Sequence, residues 1–156
     1  MSKHCILVGV PVESGASQAG CLMGPASYRT AGLAGLLKSL GHGVEDRGDV
    51  APRIAPLPDG ALAGTRHPEA MIGWTTALAD IAEAAVTDGF PIFLGGDHCL
   101  AAGTVSGVAR RAQQLDRPLF VLWLDAHPDL HSPDTTSSGK LTGVPVAFFT
   151  GLPGFP

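Results

Sequence analysis

The sequence has few of the residues that stabilise small secreted proteins or create strongly charged surfaces. Its three cysteines, Cys5, Cys21 and Cys99, are far apart and form no CxxC pair. Charged residues make up 15% of the 156 residues, and the formal net charge is -4. The odd, scattered cysteines argue against a disulfide scaffold. The lack of a basic field argues against nucleic acids and anionic membranes as partners.

Long hydrophobic runs are also missing near the amino terminus. The apolar run at 6–10 is followed directly by Pro11 and, two positions later, by Glu13. It is far shorter than a membrane span of roughly 20 residues or the core of a secretory signal. We therefore expect a protein of the reducing cytoplasm that acts on a small molecule.

Strand-like and helix-like segments alternate along the chain. Apolar runs typical of strands covered on both faces occur at 5–12, 91–94 and 119–124, and 43–49 is a shorter candidate. Apolar residues at helical spacing occur at 33–40, 68–88 and 100–115. The order β-α-β-α-β-α-β predicts a three-layer α/β/α fold with a parallel, doubly wound sheet, formed by one domain over residues 1–156.

Two groups of potential metal ligands follow predicted strands. Asp125, His127 and Asp129 come directly after the strand at 119–124, and their spacing places them on one side of an extended chain. His98 comes shortly after the strand at 91–94. Because ligands of open α/β sheets bind at the carboxyl ends of the strands, we expect these side chains to converge. Imidazole and carboxylate without thiolate suit manganese better than a structural zinc ion.

Each of these features also has a purely structural interpretation. Asp97, which follows two glycines, could cap the helix that begins near residue 100, or it could support the metal ligands. A single Asp-x-His-x-Asp segment could be a solvated loop, and His98 alone would carry little weight. His131 lies near the cluster but on a predicted loop that extends from 126 to 143. The presence of both groups at strand ends favours metal binding.

Three motifs resemble the signatures of ureohydrolases, and their residues are most similar to those of the arginase motifs. They are Gly-Gly-Asp-His98, Asp-Ala-His127-Pro-Asp129 and Thr-Thr136-Ser-Ser138-Gly. The resemblance covers nearly the whole chain, since Val10-Pro-Val, Gly24-Pro25 and Arg47-Gly-Asp49 also match. It implies the amino-terminal half of an arginase-like fold, incomplete at its carboxyl terminus and with unpaired sheet edges, in a homo-oligomeric protein.

The resemblance also implies roles for individual residues. His98, Asp125 and Asp129 would hold one manganese ion, and His127 with the bridging Asp125 would hold a second. Asp125, His127 and Asp129 would thus form the catalytic group, with a bridging hydroxide as the nucleophile. His131, Thr136 and Ser138 would contact the α-carboxylate and α-amino groups of the substrate.

The reaction implied by the resemblance is hydrolysis of L-arginine to L-ornithine and urea. Agmatine or another guanidino compound is the alternative substrate. A non-catalytic remnant of the fold is a further alternative, because the family's second Asp-x-Asp motif, which completes both metal sites, does not occur in these 156 residues.

Three positions depart from the arginase pattern. His131 and Lys140 stand where arginases usually have asparagine, and Thr142 stands where they typically have a histidine thought to shuttle protons. Threonine does not titrate near neutral pH, so slower turnover is expected. Lys140 adds positive charge near an incoming guanidinium, which we expect to favour neither binding nor specificity.

Overall fold

A parallel sheet forms the centre of the fold. The computed structural model describes residues 1–155, so Pro156, the last residue of the predicted domain, lies outside the described residues. The strands are β1 (His4–Val10), β2 (Gly43–Asp49) and β3 (Phe90–Gly95). They pair in parallel in the order β2-β1-β3. The predicted α/β fold with a parallel sheet is confirmed.

Five α-helices connect or follow these strands. They are α1 (Gly24–Thr30), α2 (Leu33–Ser39), α3 (Pro68–Asp88), α4 (Leu100–Gln114) and α5 (Pro145–Phe149). The predicted helix at 33–40 corresponds to α2, and Gly32, which adopts a left-handed conformation with φ of 85°, separates it from α1. None of the described helices is long and apolar enough to cross a bilayer.

The core lies on both faces of β1. Ile6, Val8 and Val10 alternate along the strand and pack against Trp74 and Leu78 of α3. The intervening Leu7 points to the other face and is also fully buried. Helix α1 contacts β1 and β3, and α2 contacts β2. Burial on both faces explains why this strand has a continuous apolar run.

The predicted fourth strand, at 119–124, is wrong. This segment has no regular secondary structure, and Phe120 and Leu124 are each 86% exposed. A strand needs a neighbour to satisfy its backbone N–H and C=O groups, and none of the described strands pairs with this segment. A cavity of about 300 Å³ separates it from β3 and α4, with Phe93 and Val108 in its wall. The expectation of an unpaired sheet edge is confirmed at β3.

Helices α3 and α4 pack closely because α4 carries glycines at the contact. A Cβ atom on Gly107 would lie 2.1 Å from the Ala79 carbonyl oxygen, and one on Gly103 would lie 2.7 Å from the Cβ of Leu78. Neither distance is possible without movement of a helix. The close approach matters for the site, because the amino-terminal end of α4 carries the His98 segment.

We expect Gly107→Ala to lower the free energy of unfolding by about 2–3 kcal/mol, since overpacking forces backbone shifts. Gly35→Ala in α2 is the matched control, because no heavy atom lies within 4 Å of the added Cβ. Alanine is the better helix former by up to about 1 kcal/mol, so the control is expected to be neutral or stabilising. Urea unfolding followed by circular dichroism measures both. Equal stability of the two variants would contradict the proposed packing.

Candidate metal centre

A tight turn after β3 places His98 at the carboxyl edge of the sheet. Gly96 has φ of 50°, and a Cβ atom there would lie 2.3 Å from the Val10 carbonyl oxygen. The Asp97 N–H donates a hydrogen bond of 2.8 Å to the Val12 carbonyl oxygen. Only glycine fits both the conformation and the space at position 96. The turn therefore holds His98 beside the end of β1.

Asp97 connects this turn to the loop that leaves β1. Its buried carboxylate accepts hydrogen bonds from the N–H groups of Gly15 at 2.7 Å and Ala16 at 3.1 Å. It also accepts one from the Cys99 N–H at 2.8 Å, just before α4. Helix α4 has no side-chain cap at its start, so the structure favours the second interpretation, in which Asp97 supports the segment that carries His98.

The loop at 13–20, which follows β1, does not line the cavity described below. Its Gly15 is close to Cys99, whose thiol is also buried. Burial, together with the neighbouring Asp97 carboxylate, raises the pKa of the Cys99 thiol. A protonated, buried thiol is a poor metal ligand, so Cys99 has a packing role.

The segment from Asp125 to Asp129 is bent rather than extended. The His127 N–H donates a hydrogen bond of 2.9 Å to the Asp125 side chain, which turns the chain between them. Asp129 adopts φ of 47°, and its carbonyl oxygen accepts hydrogen bonds from the N–H groups of Val146 and Ala147, each 3.1 Å long. The first turn of α5 therefore holds Asp129 in an uncommon conformation for a residue other than glycine.

His98, Asp125 and Asp129 converge. The His98 Nε2 atom lies 2.7 Å from Asp129 Oδ2 and 3.4 Å from Asp125 Oδ2. One donor atom from each residue lies within 4.8 Å of the others, a separation that one ion can span. Asp129 is only 6% exposed. The pKa of Asp125 is lowered, mainly by the hydrogen bond that its carboxylate accepts from the His127 N–H. The lowered pKa favours the ionised carboxylate, which can bind a cation.

His127 is not part of this group of three. Its Nδ1 atom lies 3.5 Å from Asp125 Oδ1, and its side chain is 79% exposed. The extended backbone that would have placed it beside Asp125 and Asp129 is replaced by the bend. Its role as a ligand of a second ion stays a prediction.

Trp123 contacts the candidate metal centre, which the sequence did not indicate. Its ring centroid lies 5.0 Å from that of His98, with a tilt of 57°, and 5.7 Å from that of Phe149. Sequence reasoning placed Trp123 inside a buried strand. In the structure it is partly exposed and packs against the imidazole, so it restricts the orientation of a candidate ligand.

A cavity of about 390 Å³ opens over the three converging residues. All three predicted substrate-binding residues, His131, Thr136 and Ser138, line it. The His131 N–H donates to the Gly143 carbonyl oxygen at 3.1 Å, and Ser138 Oγ accepts a hydrogen bond of 3.3 Å from the Lys140 N–H. These contacts hold the loop against the cavity. The polar groups of the loop therefore line the same cavity as the carboxylates of Asp125 and Asp129.

The fold and the site define an α/β protein with a candidate divalent metal centre at the carboxyl edge of a parallel sheet. The model of the Arginase family matches residues 3–153. The chain belongs to the arginase family. It is 51% identical over 154 residues to an arginase of Agrobacterium fabrum, which covers 98% of this chain and 48% of that relative. It is 40% identical over 151 residues to the mitochondrial arginase-2 of Homo sapiens, covering 94% and 41%.

Solved structures lead to the same family. The arginase of Bacillus subtilis matches with a TM-score of 0.77 at 30% identity, covering 99% of this chain and 52% of that one. The arginase of Bacillus caldovelox matches with a TM-score of 0.76 at 33% identity, covering 93% and 48%. The chain thus spans about half the length of the relatives it matches. The resemblance noted from the three motifs is confirmed.

Proposed function

We propose that this protein takes part in manganese-dependent hydrolysis of the guanidinium group of L-arginine, giving L-ornithine and urea. One observation carries the proposal: His98, Asp125 and Asp129 converge within 4.8 Å at the sheet edge, in a chain of the arginase family. Relatives at about half sequence identity are named arginase. The loop that lines the same cavity supplies hydroxyl groups able to bind a polar substrate.

The residues present fit a manganese ion. One imidazole and two carboxylates form a nitrogen and oxygen donor set, and the nearby thiol of Cys99 is buried and protonated. When bound, manganese supplies the positive charge that activates water as a nucleophile at neutral pH and stabilises developing negative charge. We propose that His98, Asp125 and Asp129 would hold one ion, and that His127 together with Asp125 would hold a second.

The other residues of the cavity position the substrate. Ser138 offers a hydroxyl donor for its carboxylate, Thr136 offers a hydroxyl whose present bond to the Lys140 carbonyl oxygen is long at 3.5 Å, and His131 offers an imidazole on the same loop. Trp123 keeps the His98 ring in one orientation. Position 142, at the cavity wall, is threonine and cannot transfer protons near neutral pH, so we expect proton release to depend on solvent and turnover to be slow.

The test is release of urea and ornithine when the purified protein is incubated with Mn²⁺ and L-arginine at neutral pH. We expect production above a protein-free blank, and loss of it after a chelator removes the metal. Readdition of Mn²⁺ should restore it, which separates metal loss from unfolding. Absence of both products at high protein concentration would reject the proposed activity for this chain.

A metal-binding protein without catalysis is the second candidate. It is favoured by the number of donors, because three residues converge in the described part of the chain, whereas manganese prefers about six oxygen or nitrogen ligands. Calorimetry with Mn²⁺ distinguishes the two. Two tight binding events support a binuclear catalytic site, and a single weak event supports the second candidate.

We also propose a cytoplasmic, homo-oligomeric protein. None of the three thiols forms a disulfide, which is compatible with a reducing compartment. Exposed apolar side chains of the segment 119–124 and the unpaired edge of β3 offer surface that association would cover. Size-exclusion chromatography with light scattering measures the assembly.

A further inference from the structure

Gly139 ends the Thr-Thr-Ser-Ser-Gly motif and has no part in the proposed mechanism. Its φ is 68°, a backbone conformation that favours glycine. A Cβ atom there would lie 2.8 Å from the Gly64 carbonyl oxygen and 3.6 Å from the Thr65 Cα atom. The Gly139 carbonyl oxygen also accepts a hydrogen bond of 2.8 Å from the Arg66 N–H. Gly139 thus lies directly against the backbone of a turn at 62–67, which precedes α3.

Neighbouring residues of the site loop, which we define as residues 136–143, face in opposite directions. Alternate positions line the cavity over the candidate metal centre, namely Ser138, Lys140 and Thr142. Between them, Gly139 faces the turn at 62–67, and Leu141 is 2% exposed within a buried cluster that includes Met71 of α3. The intervening residues therefore attach the loop to the rest of the protein, and this attachment fixes which side chains the cavity receives.

The turn at 62–67 is itself held by hydrogen bonds and burial. Leu62 is 4% exposed, and its carbonyl oxygen accepts hydrogen bonds from the Thr65 N–H at 3.1 Å and the Thr65 hydroxyl at 2.6 Å. The His67 carbonyl oxygen accepts a hydrogen bond of 3.1 Å from the Met71 N–H, in the first turn of α3. Because the turn is attached to the start of this long, core-packed helix, it can hold the site loop in one position.

We propose that Gly139 is a positioning residue, through which the turn at 62–67 sets the position of the cavity-lining side chains of the site loop. The inference rests on the proposed function, because it assumes that these side chains contact the substrate. The metal centre has separate supports, since the turn after β3 holds His98 and the first turn of α5 holds Asp129. Loss of the contact at Gly139 should therefore weaken substrate binding and leave Mn²⁺ binding unchanged.

Gly139→Ala tests this contact. The added Cβ atom does not fit at 2.8 Å from the Gly64 carbonyl oxygen, so the site loop has to move away from the turn. Calorimetry measures the affinity of the protein for Mn²⁺, and that of the Mn²⁺-treated protein for L-arginine. We expect the affinity for L-arginine to fall about tenfold, the size expected for lost hydrogen bonds to the substrate, and the affinity for Mn²⁺ to change less than about twofold. An equal fall in both affinities would overturn the inference.

Gly60→Ala is the matched control for backbone strain. Gly60 has φ of 75°, similar to that of Gly139, but no heavy atom lies within 4 Å of the added Cβ. Alanine is therefore strained at both positions, and it meets another segment only at position 139. Gly60→Ala should leave the affinity for L-arginine within about twofold of wild type. A tenfold loss in this control as well would assign the effect to strain and overturn the role of Gly139.

Thr65→Val is a milder variant that does not alter the site loop itself. It removes the hydroxyl that closes the turn onto the Leu62 carbonyl oxygen and keeps the size of the side chain. We expect the affinity for L-arginine to fall about threefold, and Thr65→Ser, which keeps the hydroxyl, to retain wild-type affinity. Circular dichroism checks that each variant is folded. An equal affinity of Thr65→Val and Thr65→Ser would count against control of the loop by the turn.

Hydrogen exchange of the Arg66 amide separates this inference from the proposed function, because it needs neither metal nor substrate. This N–H donates to the Gly139 carbonyl oxygen, so exchange should be at least about tenfold faster in Gly139→Ala and unchanged in Gly60→Ala. If wild-type protein binds no L-arginine, the proposed function fails, whereas faster exchange in Gly139→Ala still supports the hold of the turn on the loop. Unchanged exchange in folded Gly139→Ala would overturn the inference.

Discussion

Asp129→Asn is expected to reduce Mn²⁺ affinity by about 100-fold or more, and to reduce urea release to the blank. Asp129 is 6% exposed and lies 2.7 Å from the His98 imidazole. At such a buried position, solvent has little room to supply a ligand in place of the carboxylate. The amide keeps the size of the side chain but loses the negative charge and one acceptor. Even partners of ligands, when mutated, typically cost about 10- to 100-fold in metal affinity. Calorimetric titration with Mn²⁺ measures the change.

Asp134→Asn is the matched control for this prediction. Asp134 lies on the same loop, but it is exposed and does not line the cavity, so its loss should change Mn²⁺ affinity less than twofold. His127→Ala is a second comparison. Because this side chain is 79% exposed and outside the group of three, we expect His127→Ala to reduce the Mn²⁺ affinity of the tightest binding event less than Asp129→Asn does. Retention of wild-type affinity by Asp129→Asn would show that the metal binds elsewhere or not at all.

Asp97→Ala is expected to lower the free energy of unfolding by about 3–5 kcal/mol. Three backbone N–H groups, those of Gly15, Ala16 and Cys99, would lose their acceptor at a buried position. Each unsatisfied buried donor costs about 1–3 kcal/mol, and water that enters the space left by the side chain offsets part of the total. Urea unfolding at neutral pH provides the measurement.

Asp59→Ala controls for the loss of one carboxylate. Asp59 is exposed, and its side chain makes no hydrogen bond or ion pair within residues 1–155, so a change within about 0.5 kcal/mol is expected. Asp97→Ala should also weaken Mn²⁺ binding, because the segment that carries His98 loses its connection to the loop at 13–16. A loss of stability below about 1 kcal/mol would mean that this network does not hold the segment in place.

The elements that depend on local pattern were predicted well. The apolar run of β1 and the helical spacing of α3 and α4 each indicated the observed element to within one or two residues at most boundaries. The prediction of a strand at 119–124 was wrong because a strand forms only where a neighbouring strand accepts and donates its backbone hydrogen bonds. Its composition resembles that of β3, but no described strand supplies the backbone partners.

The candidate site shows the same division. The sequence predicted that four donors would meet, and the structure brings together His98, Asp125 and Asp129 but leaves His127 outside the group. The position of His127 could not be predicted by alternation, because the hydrogen bond from its N–H to Asp125 bends the chain. The contact of Trp123 with His98 has no signal in the sequence, since the two residues belong to segments that are remote along the chain.

The sequence by itself determined the family, the parallel α/β class and the residue types that can bind a cation, because short motifs and hydrophobic periodicity are local properties of the chain. The tertiary structure alone decided which donors converge, which edge of the sheet stays unpaired and that Lys140 faces the same cavity as the carboxylates. These outcomes depend on distances between segments that are remote in the chain. Such distances follow from packing and hydrogen bonds across the whole fold.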